Sequence, residues 1–149
     1  MATLELHPDF KDFLKLLNLY EVKYLLVGGY AVGYYGYPRA TGDMDIWIER
    51  SEANSKKMVS VFRDFGVPDE SISEEMFSEA HKVIRMGVPP VRLEVITSAS
   101  GVDFNNCYSA RELHELEGIS ISLISLPDLK TNKLAAGRHK DLEDIEHLP

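Results

Sequence analysis

Val27-Gly28-Gly29-Tyr30-Ala31-Val32 and, a short loop later, Arg39-Ala40-Thr41-Gly42-Asp43-Met44-Asp45-Ile46-Trp47-Ile48 form the stretch whose reading decides the fold. Its second half is an apolar run interrupted by two acids at alternate positions. In a β-strand, residues two apart point to the same face with Cα atoms roughly 7 Å apart. Asp43 and Asp45 therefore share one face while Met44, Ile46 and Ile48 share the other. Two carboxylates on one face of an otherwise buried strand, with no Lys close by in the sequence, suit a hard divalent cation such as Mg²⁺ or Mn²⁺. Asp-x-Asp is also a common pattern of solvated strand-edge acids, so the pair acquires meaning only from its neighbours.

Upstream, Tyr24-Leu25-Leu26-Val27 reads as a buried strand, Gly28-Gly29 as its exit and residues 30–36 as a short helix. A strand that passes through glycines into a helix aims free backbone N–H groups and the positive end of the helix at whatever lies in front, which suits phosphate. An ordinary tight strand-to-helix turn also needs glycine, for its backbone angles alone. The spacing is not G-x-G-x-x-G and no G-K-[ST] follows, which excludes the two commonest phosphate loops. A phosphate-facing turn beside a metal-binding acid pair is more specific than either half alone.

A third acid is available. Val91-Arg92-Leu93-Glu94-Val95-Ile96 alternates, placing Arg92 and Glu94 on one face and Val91, Leu93 and Val95 on the other. If this strand lies beside the Asp43–Asp45 strand, Glu94 joins the two aspartates; the alternative is an exposed carboxylate paired with Arg92 or water.

Periodicity places the other elements. Phe10, Phe13, Leu14 and Leu17 predict an amphipathic first helix after Pro8 and Asp9. Ser51 opens a long helix to about Phe65, with Met58, Val59, Phe62 and Phe65 inward and Gly66 as its stop. The acidic segment 68–80 is irregular, with at most one helical turn. Residues 81–86 and 91–97 predict a hairpin across Gly87-Val88-Pro89-Pro90, and residues 119–124 a short strand after a loop. Helices over 127–136 and 139–148 close the chain, broken at Gly137.

The glycine string, the Asp43-Met44-Asp45 strand and Glu94 together resemble the nucleotidyltransferase superfamily of the DNA polymerase β type, and more narrowly its small prokaryotic minimal and antitoxin-like members. Ser125-Leu126-Pro127-Asp128-Leu129, Lys133 and Arg138-His139-Lys140-Asp141-Leu142-Glu143-Asp144-Ile145 are similar to the closing helices of such proteins, so the resemblance spans residues 22 to 148. It implies an α+β fold, a mixed β-sheet flanked by α-helices forming one domain over 1–149. It also implies metal-dependent transfer of a nucleoside monophosphate from a nucleoside triphosphate to a hydroxyl of a small molecule, a protein or an RNA end. On that expectation Asp43 and Asp45 hold Mg²⁺ against the triphosphate, and Glu94 holds the ion nearest the acceptor and assists its deprotonation. The backbone of Gly28, Gly29 and Tyr30 cradles phosphates, and Lys133 faces the nucleotide. Arg39 and Thr41 stand close enough to reach phosphate; equally, Arg39 can pair an Asp and Thr41 can shape the turn. Many active relatives carry Asp where this chain has Glu94, which motivates a competing expectation: a binding module without turnover, an antitoxin-like partner of a toxin-like helical protein.

Composition agrees with one small domain. The chain has 149 residues, enough for a single core. Its one cysteine, Cys107, excludes an internal disulfide, and the histidines show no metal-ligand spacing. The N-terminus lacks a signal-peptide pattern, and the longest uncharged run, residues 24–38, is too short and glycine-rich to span a bilayer, so the expected location is the cytoplasm. Sixteen basic against 24 acidic residues give a net charge of −8, which opposes broad nucleic-acid binding but not a nucleotide, for which bound metal supplies compensation. Five of the seven tyrosines fall between Tyr24 and Tyr37, where packing and base stacking are both open roles. Trp47, on the face of the two aspartates, either walls the site or covers the sheet.

Overall fold

The structure, a computed structural model, describes residues 6–38 and 41–149. The predicted periodicities appear as α1 (Pro8–Leu19), β1 (Tyr24–Val27), α2 (Gly28–Tyr34), β2 (Asp43–Ile48) and α3 (Glu52–Phe65). After a 3-10 turn at Asp69–Ser71 come α4 (Glu75–Ser78), β3 (Val83–Val88), β4 (Val91–Ile96), α5 (Phe104–Ser109), β5 (Glu112–Leu116), β6 (Ile119–Leu123), α6 (Leu126–Ala136) and α7 (His139–His147). The strands form one mixed sheet in the order β3-β4-β2-β1-β6-β5, with helices against it. β2 runs parallel to β4 and β1 parallel to β6; the other neighbours are antiparallel.

The two faces of the sheet differ in chemistry because each strand alternates. Met44 and Ile46 of β2, with Leu93 and Val95 of β4, are almost wholly buried. The same core contains Phe10, Phe13, Leu14 and Leu17 of α1 and Met58, Val61 and Phe62 of α3. Phe13 meets Phe62 and Phe65 edge-on, and Phe62 meets Phe77, which with the partly covered Met76 anchors α4. The inward set of α3 is Met58, Val61 and Phe62, with Val59 and Phe65 only partly covered. Burying a side chain of this size contributes roughly 1.5–3 kcal/mol. The opposite face bears Asp43, Asp45 and Trp47.

Caps end the helices where the sequence says they should. The Ser51 hydroxyl accepts from Asn54 N–H, and Gly66 closes α3 with φ +105°, a left-handed conformation that glycine adopts without strain. Ser125 caps α6, with Pro127 in its first turn, and Gly137 ends it.

Two elements go beyond the expected set. The segment between β4 and β6, where the sequence predicts a loop, contains α5, capped by Asp103, and the edge strand β5, joined to β6 by a tight turn at Glu117-Gly118. β5 reads Glu-Leu-His-Glu-Leu and exposes much of both faces, so it lacks the apolar alternation that marks a strand. α5 keeps only Cys107 fully buried, and burial pushes that thiol up to about 12, which leaves it inert.

Asn54 ties the layers together. Buried at the start of α3, its amide nitrogen donates to the carbonyls of Lys23 (3.1 Å) and Glu49 (2.9 Å), and its oxygen accepts from Lys23 N–H (2.9 Å). Asn54→Ala leaves these groups without partners and should lower unfolding free energy by about 2–3 kcal/mol, since an unmet buried polar group costs about 1–3 kcal/mol. Urea denaturation checks this, and Asn54→Leu should not restore what is lost.

Candidate active site: an acid triad over a glycine

The register of β2 with β4 assembles the site. Asp43 stands opposite Arg92, Asp45 opposite Glu94 and Trp47 opposite Ile96, all on one face. Carboxylate oxygens of Asp43, Asp45 and Glu94 lie within 4.8 Å of one another, near enough for one metal ion to draw on all three. Across the other edge of β2, Val27 pairs with Asp45, and the chain turns into α2 at the next residue.

Gly28 is required there for two reasons. Its φ is +69°, and a Cβ built on it would fall 2.0 Å from Asp45 Oδ2. The aspartate thus rests where a side chain at position 28 would be. Gly28→Ala should both strain the turn and push Asp45 out of the triad, lowering Tm and removing any stabilisation that Mn²⁺ gives the parent, which thermal melts with and without Mn²⁺ read directly.

The three acids occupy different electrostatic environments. Asp43 is held below the usual carboxylate range, first by its hydrogen bond from Arg92 and then by the charges of Arg92, Lys140 and Arg85. Arg92 grips it with a fork, Nε to Oδ1 at 2.5 Å and Nη2 to Oδ2 at 3.0 Å. Glu94 accepts from Arg85 Nε at 2.7 Å and lies 3.5 Å from Arg92 Nη2. Asp45 is the deepest, and its Oδ1 is buried without any hydrogen-bond partner. Burial foremost, then the neighbouring carboxyls of Glu94 and Asp43, push it up to about 7, against the opposing charge of Lys133. An orphaned buried carboxylate oxygen amid two further acids is the donor set a hard divalent cation fits.

A cavity of about 430 Å³ opens in front of Asp45 and Glu94, within the range of small-molecule sites. Gly28, Arg85, Ser98, Lys133, Arg138 and Asp141 contribute to its walls. A neighbouring cavity of about 390 Å³, sharing Ser98 and Ala99, contains none of the triad; Trp47 lines it, only 2% exposed and edge-on to Phe104. Trp47 covers the sheet.

The remaining residues singled out from sequence divide. Gly28 lines the cavity, whereas Gly29 is buried behind it and the Tyr30 ring packs edge-on against Phe10. Thr41 uses its hydroxyl on the carbonyl of Asp43 (3.2 Å), shaping the entry to β2. Arg39 lies outside the described residues. Lys133 reaches the cavity wall from α6, but its buried ammonium sits 3.1 Å from Asp141 and 3.0 Å from Asp144 of α7. Arg138 donates to the same Asp141 from the helix cap (Nε to Oδ2, 2.7 Å). Sequence reasoning did not single out Arg85 as a site residue and weighed Arg92 only as a partner of Glu94. The available signal was their strand parity: Arg92 shares a face with Glu94, and in a hairpin Arg85 falls opposite it.

No family model matches this sequence, and no curated protein matches it. A solved structure from Thermotoga maritima, described as that of a candidate nucleotidyltransferase, is similar with a TM-score of 0.59 at 16% identity. The match covers 93% of this chain and 88% of that one. The fold is nucleotidyltransferase-like. Among the described residues no helix is long and apolar enough to cross a membrane.

Asp45 also makes stability pH-dependent and would make cation binding so. Burial pushes its carboxyl up to about 7, well above the ordinary aspartate range, so its contribution to stability is complete below about pH 4 and is lost as pH rises through about 7. Asp45→Asn should therefore be more thermostable than the parent at pH 8 in chelator, with the advantage vanishing near pH 4. In the parent, calorimetry of Mn²⁺ binding in buffers of different ionisation enthalpy should register proton release at pH 6 and little at pH 8.5.

Proposed function

We propose that the chain is a metal-dependent nucleotidyltransferase that moves a nucleoside monophosphate from a nucleoside triphosphate to a hydroxyl acceptor. The observation that carries this reading is the buried, unpartnered Asp45 oxygen grouped with Asp43 and Glu94 beside a cavity of about 430 Å³. The likeness in fold to a candidate nucleotidyltransferase supports it.

Asp43, Asp45 and Glu94 would hold Mg²⁺, or Mn²⁺ in its place. A cation held there would stabilise the negative charge that develops on the phosphoryl oxygens as the acceptor oxygen bonds to the α-phosphorus and pyrophosphate leaves. Glu94, the acid nearest the open β3 side, orients the acceptor hydroxyl and takes its proton. Gly28 gives the Asp45 carboxylate room against the backbone at the edge of the cavity, where a larger residue would displace it from the triad. Lys133 and Arg138 present positive charge from the far wall, held in place by Asp141. Holding donor and acceptor in line contributes alongside charge stabilisation in such transfers.

A second reading, a protein-binding domain without turnover, draws on the arginines that already engage Asp43 and Glu94. Labelling separates the two. Incubation with each α-labelled nucleoside triphosphate, Mg²⁺ and a cell extract as acceptor source should transfer label, and Asp43→Asn should reduce transfer by at least about 100-fold, as loss of a charge-stabilising group does. Equal labelling by parent and variant would reject the enzyme reading, provided circular dichroism shows both folded.

A further inference from the structure

We infer that Arg92 and Arg85 are built-in counter-ions of the acid triad, which hold Asp43 and Glu94 in competition with a divalent cation, so that metal enters only by displacing guanidinium groups. This rests on the metal-binding reading above and adds a pair of residues to it.

The placement is fixed by the backbone. Arg92 lies opposite Asp43 in the β2–β4 register, and Arg85 lies opposite Glu94 in the β3–β4 register. Both are strand residues, so neither pair depends on a loop. The Arg92 fork engages both oxygens of Asp43. Glu94 Oε1 is shared, 2.7 Å from Arg85 Nε and 3.5 Å from Arg92 Nη2. The Arg92 and Asp43 side chains are 29% and 24% exposed and the Glu94 side chain 15%, which limits screening by solvent; Arg85, at 56%, is the looser member. A metal ion bound here would draw on the Asp43 and Glu94 carboxylates that the guanidinium N–H groups now engage, and its charge would oppose theirs.

Arginine suits this role better than lysine. It stays charged at every pH the protein meets, so the competition cannot be removed by deprotonation, and its fork spans both carboxylate oxygens at once. The contrast within the triad is informative. Asp43 and Glu94 have arginine partners while the deepest oxygen, Asp45 Oδ1, has none. A cation would meet an open ligand at the bottom of the site and occupied ones at its rim. Once freed, Arg85 is already on the cavity wall and becomes a cation available to phosphate.

Mn²⁺ alone, titrated against the full chain without nucleotide and followed by the electron paramagnetic resonance signal of the free ion, tests the inference. Arg92→Gln should bind Mn²⁺ about tenfold more tightly than the parent, the range expected when a bidentate charged pair is removed, and Arg92→Lys should fall between. Arg85→Gln, at the more exposed pair and the safer variant for folding, should gain about two- to fivefold. In chelator Arg92→Gln should melt below the parent, and Mn²⁺ should raise its Tm by more than it raises the parent's. Parental binding with equal or weaker affinity in both Gln variants would overturn the counter-ion role and leave the metal site standing. Absence of Mn²⁺ binding in the parent and all variants would overturn the metal reading itself. Binding in Arg92→Gln but not in the parent would be the strongest support, and an added Asp45→Asn should abolish it.

Discussion

The parallel register of β2 against β4, with Asp45 level with Glu94, is the constraint on which the rest of the structure depends. Because side chains alternate with a period of two, a slip by one residue would turn the acids into the core and the core residues onto the cavity. The apolar faces of these strands forbid that slip. Met44, Ile46, Leu93 and Val95 must lie together under α1 and α3, and Asp43, Asp45 and Glu94 then have no choice but to meet on the other side. Core and site are specified by one decision, and the four-residue strand β1 locks it from the far edge by delivering Gly28 beneath Asp45.

That arrangement concentrates like charge, and the surroundings are organised to offset it. Arg92 and Arg85 neutralise the rim, while Lys133 opposes the raised affinity of Asp45 for a proton. Lys133 is itself buried, and a buried ammonium is tolerated only when paired. Asp141 and Asp144 supply that pairing from α7, and Arg138 adds a fork to Asp141 at the helix cap. The ionic group thereby fixes α7 against α6 along the cavity wall. Such a cluster adds little net stability compared with an apolar contact, so its value lies in fixing the direction of Lys133 and Arg138.

Much of this was legible in the residues because two periods carry it. The strand alternation of Asp43-Met44-Asp45-Ile46 and Arg92-Leu93-Glu94-Val95 is unambiguous, and the α1 and α3 patterns with Ser51 and Gly66 mark a layer of helices. What stayed hidden has physical reasons. β5 exposes polar residues on both faces and α5 buries little besides Cys107, so neither presents a period to read. Arg85 joins the triad through hairpin pairing: strand parity was readable, but the register that sets it opposite Glu94 depends on where the β3–β4 turn falls. For the Tyr30 ring, where packing and base stacking were both open, the edge-on contact with Phe10 gives packing.

Charge then constrains how ligands can enter. The net charge of −8 opposes the approach of a polyanion, and the cations beside the triad already face carboxylates: Arg92 and Asp43 next to the cavity, Arg85 and Glu94, Lys133 and Asp141 on its wall. A phosphate arriving alone would have to draw those cations from their partners and leave acids exposed. A divalent cation arriving alone would have to draw the acids from the arginines. Under the proposed function, a cation and a phosphate arriving together would exchange these partners, the cation taking the carboxylates and the phosphate the freed guanidinium and ammonium groups. Such an exchange would make each ligand raise the affinity for the other by the same factor. With Asp45 Oδ1 left open and the other two acids paired, the site would then favour a metal–polyphosphate complex over either component, with no need for a strongly basic surface.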